Sequence, residues 1–101
     1  MGMKFIYVKK ADVGTMPREA GVYSFWGKQG LLYIGKAGNL RGRIKNHFSS
    51  HGDSPFINRV QKIGYAKTDS EIEALILESQ LIKQRQPKYN VMWRDDKNYF
   101  Y

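Results

Sequence analysis

A chain of 101 residues, 42% of them apolar, can bury one small core, so residues 1–101 are read as a single domain. The absence of cysteine excludes disulfides, thiolate metal sites and thiol nucleophiles and suits a reducing, cytoplasmic setting. No apolar run approaches the roughly 18 residues of a spanning helix and "MGMKFIYVKK" has no signal-peptide pattern, so no membrane role is expected. With 17 Lys+Arg against 9 Asp+Glu, a net charge of +8 and 14% aromatic residues, the natural partner is a polyanion.

The predicted elements follow one another without repeats or linkers. Residues 3–8 suit a short strand or an arm. Pro17 and Gly21 punctuate the next stretch. "VYSFW" and "LLYIG", separated by Gly27 to Gly30, read as a β-hairpin. "GNLRGRIKNHF" predicts a helix capped by Asn39, with Leu40, Ile44 and Phe48 at helical spacing. Gly42 weakens that helix and leaves room for something to approach closely. "SPFINRVQKI" predicts a short second helix capped by Ser54, with Phe56, Val60 and Ile63 on one apolar face. "GYAKT" is a further strand. Ser70 and Glu73 form a capping box that opens a long helix through about Gln84, ended by Pro87. The tail "KYNVMWRDDKNYFY" reads as extended chain. The economical class is α+β, a small central mixed sheet of the hairpin plus a further strand, flanked by helices.

Two tyrosines stand ten positions apart, Tyr23 and Tyr33, and the parity of the hairpin loop decides whether they share a face. A three-residue loop, Lys28-Gln29-Gly30, with Gly30 in the left-handed position pairs Gly27 with Leu31, Phe25 with Tyr33 and Tyr23 with Gly35. Both phenols then lie on one face. A glycine opposite Tyr23 leaves that phenol uncovered and lets a substrate backbone come close to Gly35. Tyrosines are also ordinary strand residues, half-buried with a wet hydroxyl, and periodicity alone does not separate the two readings.

On the long helix, Glu73, Gln80 and Gln84 gather on one side, and Ala74, Leu75, Ile76, Leu77, Leu81 and Ile82 cover most of the rest. Glu78 falls amid that apolar arc, where a carboxylate needs a cation, a metal ion or its own proton. A buried ion pair with an arginine and a metal site are both open. In a polyanion-seeking protein the metal would be Mg²⁺ or Mn²⁺, which keeps several waters and takes one or two carboxylates beside phosphate oxygens. Arg43 borders the first helix's apolar stripe and suits a two-pronged phosphate clamp, or a pairing with Glu78. His47 lies one turn further on. A metal site from His47 and His51 is disfavoured, because "SSHGDS" breaks the helix between them. The basic residues crowd two windows, Lys36, Arg41, Arg43 and Lys45, then Lys83, Arg85 and Lys88.

Together these residues resemble the GIY-YIG nuclease family. "GVY" at 21–23 stands for GIY, "YIG" at 33–35 follows, then "KAGNLRGRI" and "EALILESQLIKQRQPKYNV". The last two segments are most similar to the UvrC branch of that family, the N-terminal endonuclease domains of the bacterial excinuclease. The resemblance implies a small sheet flanked by helices and hydrolysis of a DNA phosphodiester with a single divalent ion, Mg²⁺ or Mn²⁺. It implies Tyr23, Tyr33, Lys36, Arg43 and Glu78 as catalytic residues, with Glu78 holding the metal. Gly35, His47 and Asn90 support them, and Lys36, Arg41, Arg43, Lys45, Lys83 and Lys88 contact DNA. His47 departs from the branch, which usually has tyrosine there.

From these residues, Tyr33 is expected to take the proton of the attacking water while Tyr23 orients it, although the two roles can be exchanged. Arg43 adds positive charge to the transition state. The setting expected is the 3′-side incision of nucleotide excision repair, with other excinuclease subunits as further partners if the chain is part of a UvrC-like protein. A stand-alone or homing-type nuclease and a non-catalytic nucleic-acid-binding module are the alternatives.

Overall fold

The computed structural model describes residues 4–49 and 56–90. Its strands are β1 (Ile6–Lys9), β2 (Gly21–Gly27), β3 (Gly30–Ala37) and β4 (Lys62–Lys67), and its helices are α1 (Leu40–His47) and α2 (Glu71–Arg85). Short 3-10 segments cover Lys10–Thr15 and Ile57–Arg59. The class is α+β, with a sheet of order β1-β4-β2-β3.

All the pairings in this sheet are antiparallel rather than mixed. The connectivity explains the difference. Both β3 and β4 run antiparallel to β2, so they are parallel to each other, but β2 lies between them. The crossover through α1 therefore joins parallel strands that never share a ladder.

The hairpin pairs Tyr23 with Gly35 and Phe25 with Tyr33, as the spacing predicts, but it reaches that register by another route. Gly27 pairs with Gly30, not Leu31, leaving a two-residue turn of Lys28 and Gln29. An irregularity between Phe25 and Trp26 then leaves Leu32 as the extra residue of a bulge, because Trp26 pairs with Leu31 and Phe25 with Tyr33. Gly30 has φ 126°, a conformation that side chains resist.

Alternation along the strands builds two apolar layers. On one face Tyr23, Phe25 and Ile63 meet Leu40 and Ile44 of α1, Met16, Phe56, Val60 and Tyr89. On the other, Val22 and Ile34 meet Ala74 of α2, with Leu77, Leu81 and Ile82 packed alongside. The central strand β2 is consequently buried on both sides over its first five residues.

Capping fixes the helix starts. Asn39 Oδ1 accepts from the Gly42 amide at 3.1 Å. A methyl at Gly42 would press on Asn39 Nδ2 at 3.3 Å, so this glycine makes room for the cap. Ser70 Oγ accepts from the Glu73 amide at 3.2 Å, while Glu73 Oε1 accepts from the Asp69 amide at 2.8 Å, one residue earlier than a standard capping box. Gln86, left-handed at φ 49°, ends α2 just before Pro87.

Three further expectations change. The predicted second helix is a single 3-10 turn at Ile57–Arg59 with Ile63 already inside β4, although Phe56, Val60 and Ile63 are buried as expected. Ser54, Pro55 and His51 lie outside the described residues. The apolar arc of α2 is only partly used, because α2 packs mainly on β2 and β3. Ala74 is buried, whereas Ile72, Leu75 and Ile76 are exposed. Residues 88–90 form a helical turn rather than extended chain, and the rest of the tail lies outside the described residues.

Candidate active site

The register places both phenols on the α1 face, with ring centroids 6.3 Å apart. Phe25 stacks on Tyr33 at 6.1 Å. The Tyr23 ring lies across Gly35, where any Cβ would collide with its hydroxyl end. Gly35 therefore accommodates Tyr23 itself, not a substrate backbone, and Tyr23 is completely buried rather than uncovered. Because β3 is an edge strand, a phenol that passes over it carries its hydroxyl toward the rim of the sheet. Tyr33 is half-buried.

Helix α1 brings two further groups to that rim. Its first turn is tied down by Leu40 N donating to Glu19 O and Arg41 N to Pro17 O, both at 3.0 Å. Arg41 Nε also donates to Met16 O at 2.7 Å, so this arginine is partly committed to holding the loop before β2. Arg43, exposed on the next turn, faces Tyr23. His47, four residues on, shares a 2.8 Å hydrogen bond between its Nε2 and the Tyr23 hydroxyl. Its ring meets Tyr23, Phe25 and Tyr33 edge-on at 5.6, 5.2 and 6.0 Å. This pairing of His47 with a buried phenol is absent from the sequence reading, where the only signal was the four-residue spacing from Arg43.

Burial pushes the Tyr23 phenol far above its ordinary range, and the neighbouring Tyr33 adds to the rise. Arg43 opposes it through charge and hydrogen bonding, and the Glu78 carboxylate reinforces it. One hydroxyl thus senses the second phenol, the guanidinium and the acid of α2. Glu78 is half-buried. Its carboxyl is raised by burial and lowered by Lys36, whose side chain leaves β3 on the α2 side. The ion pair with an arginine is not seen. Among the described residues the salt bridge is Lys67 with Glu19, at 3.1 Å.

Asn90 completes the rim. Its Oδ1 accepts from Ile34 N at 2.7 Å and its Nδ2 donates to Ile34 O at 2.9 Å. The amide thereby imitates a neighbouring strand at the one residue between Tyr33 and Gly35. Of the other basic candidates, Lys45 and Lys83 are exposed, and Lys88 lies 5.6 Å over the Tyr89 ring. Tyr89 packs on Phe56 at 5.0 Å and accepts from Arg59 at 3.2 Å.

A hard divalent ion fits this donor set. Glu78 is a desolvated carboxylate with no cation within 4 Å among the described residues. No group of three or more His, Asp or Glu that could hold an ion occurs among those residues, and the donor set that Glu78 offers suits an ion that keeps water and substrate oxygens in its shell.

Residues 19–91 match the model of the UvrC-like GIY-YIG domain. The chain belongs to that family. UvrABC system protein C of Geobacter metallireducens is 43% identical over 97 residues, covering 90% of this chain and 16% of that protein. Its counterpart in Syntrophotalea carbinolica is 47% identical over 94 residues, covering 87% of this chain and 15% of the relative. The GIY-YIG chain therefore spans about a sixth of the length of these relatives. Among solved structures, the GIY-YIG N-terminal endonuclease domain of UvrC from Thermotoga maritima, bound to its catalytic divalent cation, magnesium, superposes with a TM-score of 0.71. It is 33% identical, and the match covers 79% of this chain and 92% of that one.

Proposed function

We propose that this GIY-YIG domain is a divalent-metal-dependent DNA endonuclease that, within a UvrC-like protein, makes the 3′-side incision of nucleotide excision repair. The observation that carries the reading is the convergence on the Tyr23 hydroxyl of Tyr33, Arg43, His47 and the field of Glu78. These are the groups a phosphodiester hydrolase needs at one phosphorus atom.

Tyr23, buried and strongly disfavoured as an anion, stays protonated and orients the attacking water. Tyr33, the more exposed phenol, takes the water's proton when ionised. The water oxygen bonds to phosphorus as the bond from phosphorus to the leaving oxygen breaks. Arg43 offsets the charge that grows on the non-bridging oxygens. Glu78 would hold the divalent ion, which when bound supplies charge neutralisation at the scissile phosphate and at the leaving oxygen. Lys36, beside Glu78, adds positive charge on the α2 side. Lys45, Lys83 and Lys88 supply flanking phosphate contacts, with Arg41 contributing only what its bond to Met16 leaves over. His47 and Asn90 act through Tyr23 and β3.

The test is incision of nicked, damaged and branched DNA with Mg²⁺ or Mn²⁺. Glu78→Gln is expected to lose at least 100-fold in cleavage while retaining DNA affinity. Tyr33→Phe is expected to lose a comparable amount. Equal cutting by Tyr33→Phe would transfer the proton to another group, and a wild-type protein that binds DNA but never cuts it would end the nuclease reading.

A further inference from the structure

Among the described residues, the α2 face of the sheet is only half covered, and what they leave uncovered has the composition of a nucleotide site. Helix α2 crosses β2 and β3. Between its C-terminal half and β1 there is a cavity of about 390 Å³, lined among others by Tyr7, Trp26, Gln80, Gln84 and Arg85. Two adjacent rungs make its floor and its edge. Tyr7, Gly64 and Ser24 are aligned across β1, β4 and β2, and so are Lys9, Lys62 and Trp26.

Side-chain geometry along the first rung keeps the floor aromatic. A methyl at Gly64 would meet Ser24 Oγ and the Tyr7 ring, each at 2.7 Å, so Tyr7 lies flat over β4. The buried Ser24 Oγ accepts from Trp26 Nε1 at 2.9 Å and fixes the indole. Tyr7 and Trp26 meet edge to face at 6.1 Å, and Tyr7 is 48% exposed.

The second rung sets two lysines side by side. Lys9 and Lys62 are directly opposed and on one face, an arrangement that costs stability unless an anion relieves it. Lys62 Nζ lies over both rings, 4.8 Å from the Tyr7 centroid and 5.4 Å from that of Trp26, so an ammonium already sits on the aromatic surface, from which it swings to a phosphate as a base takes its place. Arg85 closes the helix side, and among the described residues no acid lines the cavity. Glu71 and Glu73 lie in the first turn of α2, at the far end of the helix from Arg85.

We infer that this cavity binds an unpaired nucleotide of single-stranded DNA, on the sheet face opposite the two phenols. The base stacks on Tyr7 and abuts Trp26, Gln80 and Gln84 meet its polar edge, and Lys9, Lys62 and Arg85 hold the flanking phosphates. Aromatic platforms inside a basic rim are the usual solution for single strands, and the volume accommodates one nucleotide. The inference rests on the chain acting on DNA, but none of these residues belongs to the proposed active site.

The test uses Trp93→Phe protein, in which Trp26 is the sole indole, titrated with an eight-nucleotide oligothymidylate. Saturable quenching of Trp26 fluorescence is expected. Tyr7→Ala and Arg85→Gln should each weaken binding about 5-fold or more, and Arg85→Gln should lower the salt slope by about 0.7. Both side chains are exposed, and equal melting temperatures check that folding is intact. Cleavage of a short nicked duplex is expected to be unchanged in both variants. Unaltered oligonucleotide affinity in both variants, with cleavage intact, overturns the site and leaves the cavity to a polypeptide partner. Absence of both binding and cleavage in the parent protein removes the nuclease reading, and this site with it.

Discussion

Replacing Gly35 by alanine drives a methyl group into the hydroxyl end of Tyr23. The phenol is completely buried and has nowhere to retreat, so Gly35→Ala is expected to destabilise the protein by about 1–3 kcal/mol and to abolish cleavage. Urea midpoints and an incision assay check both. Tyr23 also makes a prediction in pH. Its folded pKa lies above the unfolded value of ~10, so its contribution to stability is complete below pH ~10. That contribution is lost as pH rises beyond it, because only the unfolded chain then releases the proton. Alkaline stability should therefore fall less steeply in Tyr23→Phe than in the parent, by up to about 1.4 kcal/mol per pH unit. Urea titrations between pH 9 and 11 would show it, and identical slopes would mean that Tyr23 is not the group responsible. From sequence alone, the pairing of Tyr23 with Gly35 came out as expected because a three-residue loop and a two-residue turn with a bulge lead to the same register. What glycine is for was not legible, since sequence does not show which way a ring leans.

Two elements depend on single side chains. Asn90 occupies the outward amide and carbonyl of Ile34 on the free edge of β3. Removing it leaves two backbone groups without their partner beside Tyr33, a loss of about 1–3 kcal/mol. Asn90→Ala should accordingly speed hydrogen exchange at the Ile34 amide and reduce cleavage, whereas Asn39→Ala, which removes only the cap of α1, should cost about 1 kcal/mol. Exchange measured by NMR separates the two, and an unchanged Ile34 rate in Asn90→Ala would contradict the bridging role. Caps, hairpin and long helix were readable because each is set by local chemistry: Asn39, Ser70, the glycines at 27 and 30, and Pro87. The partial use of the α2 arc was not, because exposure of Ile72, Leu75 and Ile76 follows from where a helix lands on a sheet. The stretch around Phe56 shortened to a 3-10 turn for a related reason, with Ile63 drawn into β4 beside Phe25.

At the scale of the molecule, a net charge of +8 makes DNA association depend on counterion release. Affinity should fall steeply as salt rises, and Arg43→Gln and Lys36→Gln should each reduce the slope by about 0.7–0.9 if each contacts one phosphate. Binding isotherms from 50 to 200 mM salt test this. A slope that neither variant alters would remove both residues from the interface. The sequence reading names the phenols, the guanidinium and the acid but not their layout. Lys36 and Glu78 lie toward the α2 side, Tyr33 and His47 on the α1 side, and the edge of β3 is where the two sets meet.

The bulge at Leu32 has a wider consequence for the hairpin. A two-residue turn alone would set Tyr33 across from Ser24 and part the phenols. The extra residue restores the parity that a three-residue loop would also have given. The rung of Phe25 and Tyr33 is thus insulated from the tip: the two solutions are interchangeable, and even a chain lacking Leu32 would form an unbroken ladder with Tyr33 still facing Phe25. Length changes beyond Gly27 and Gly30 should be tolerated there, making the tip a permissive place to graft a fluorophore tag.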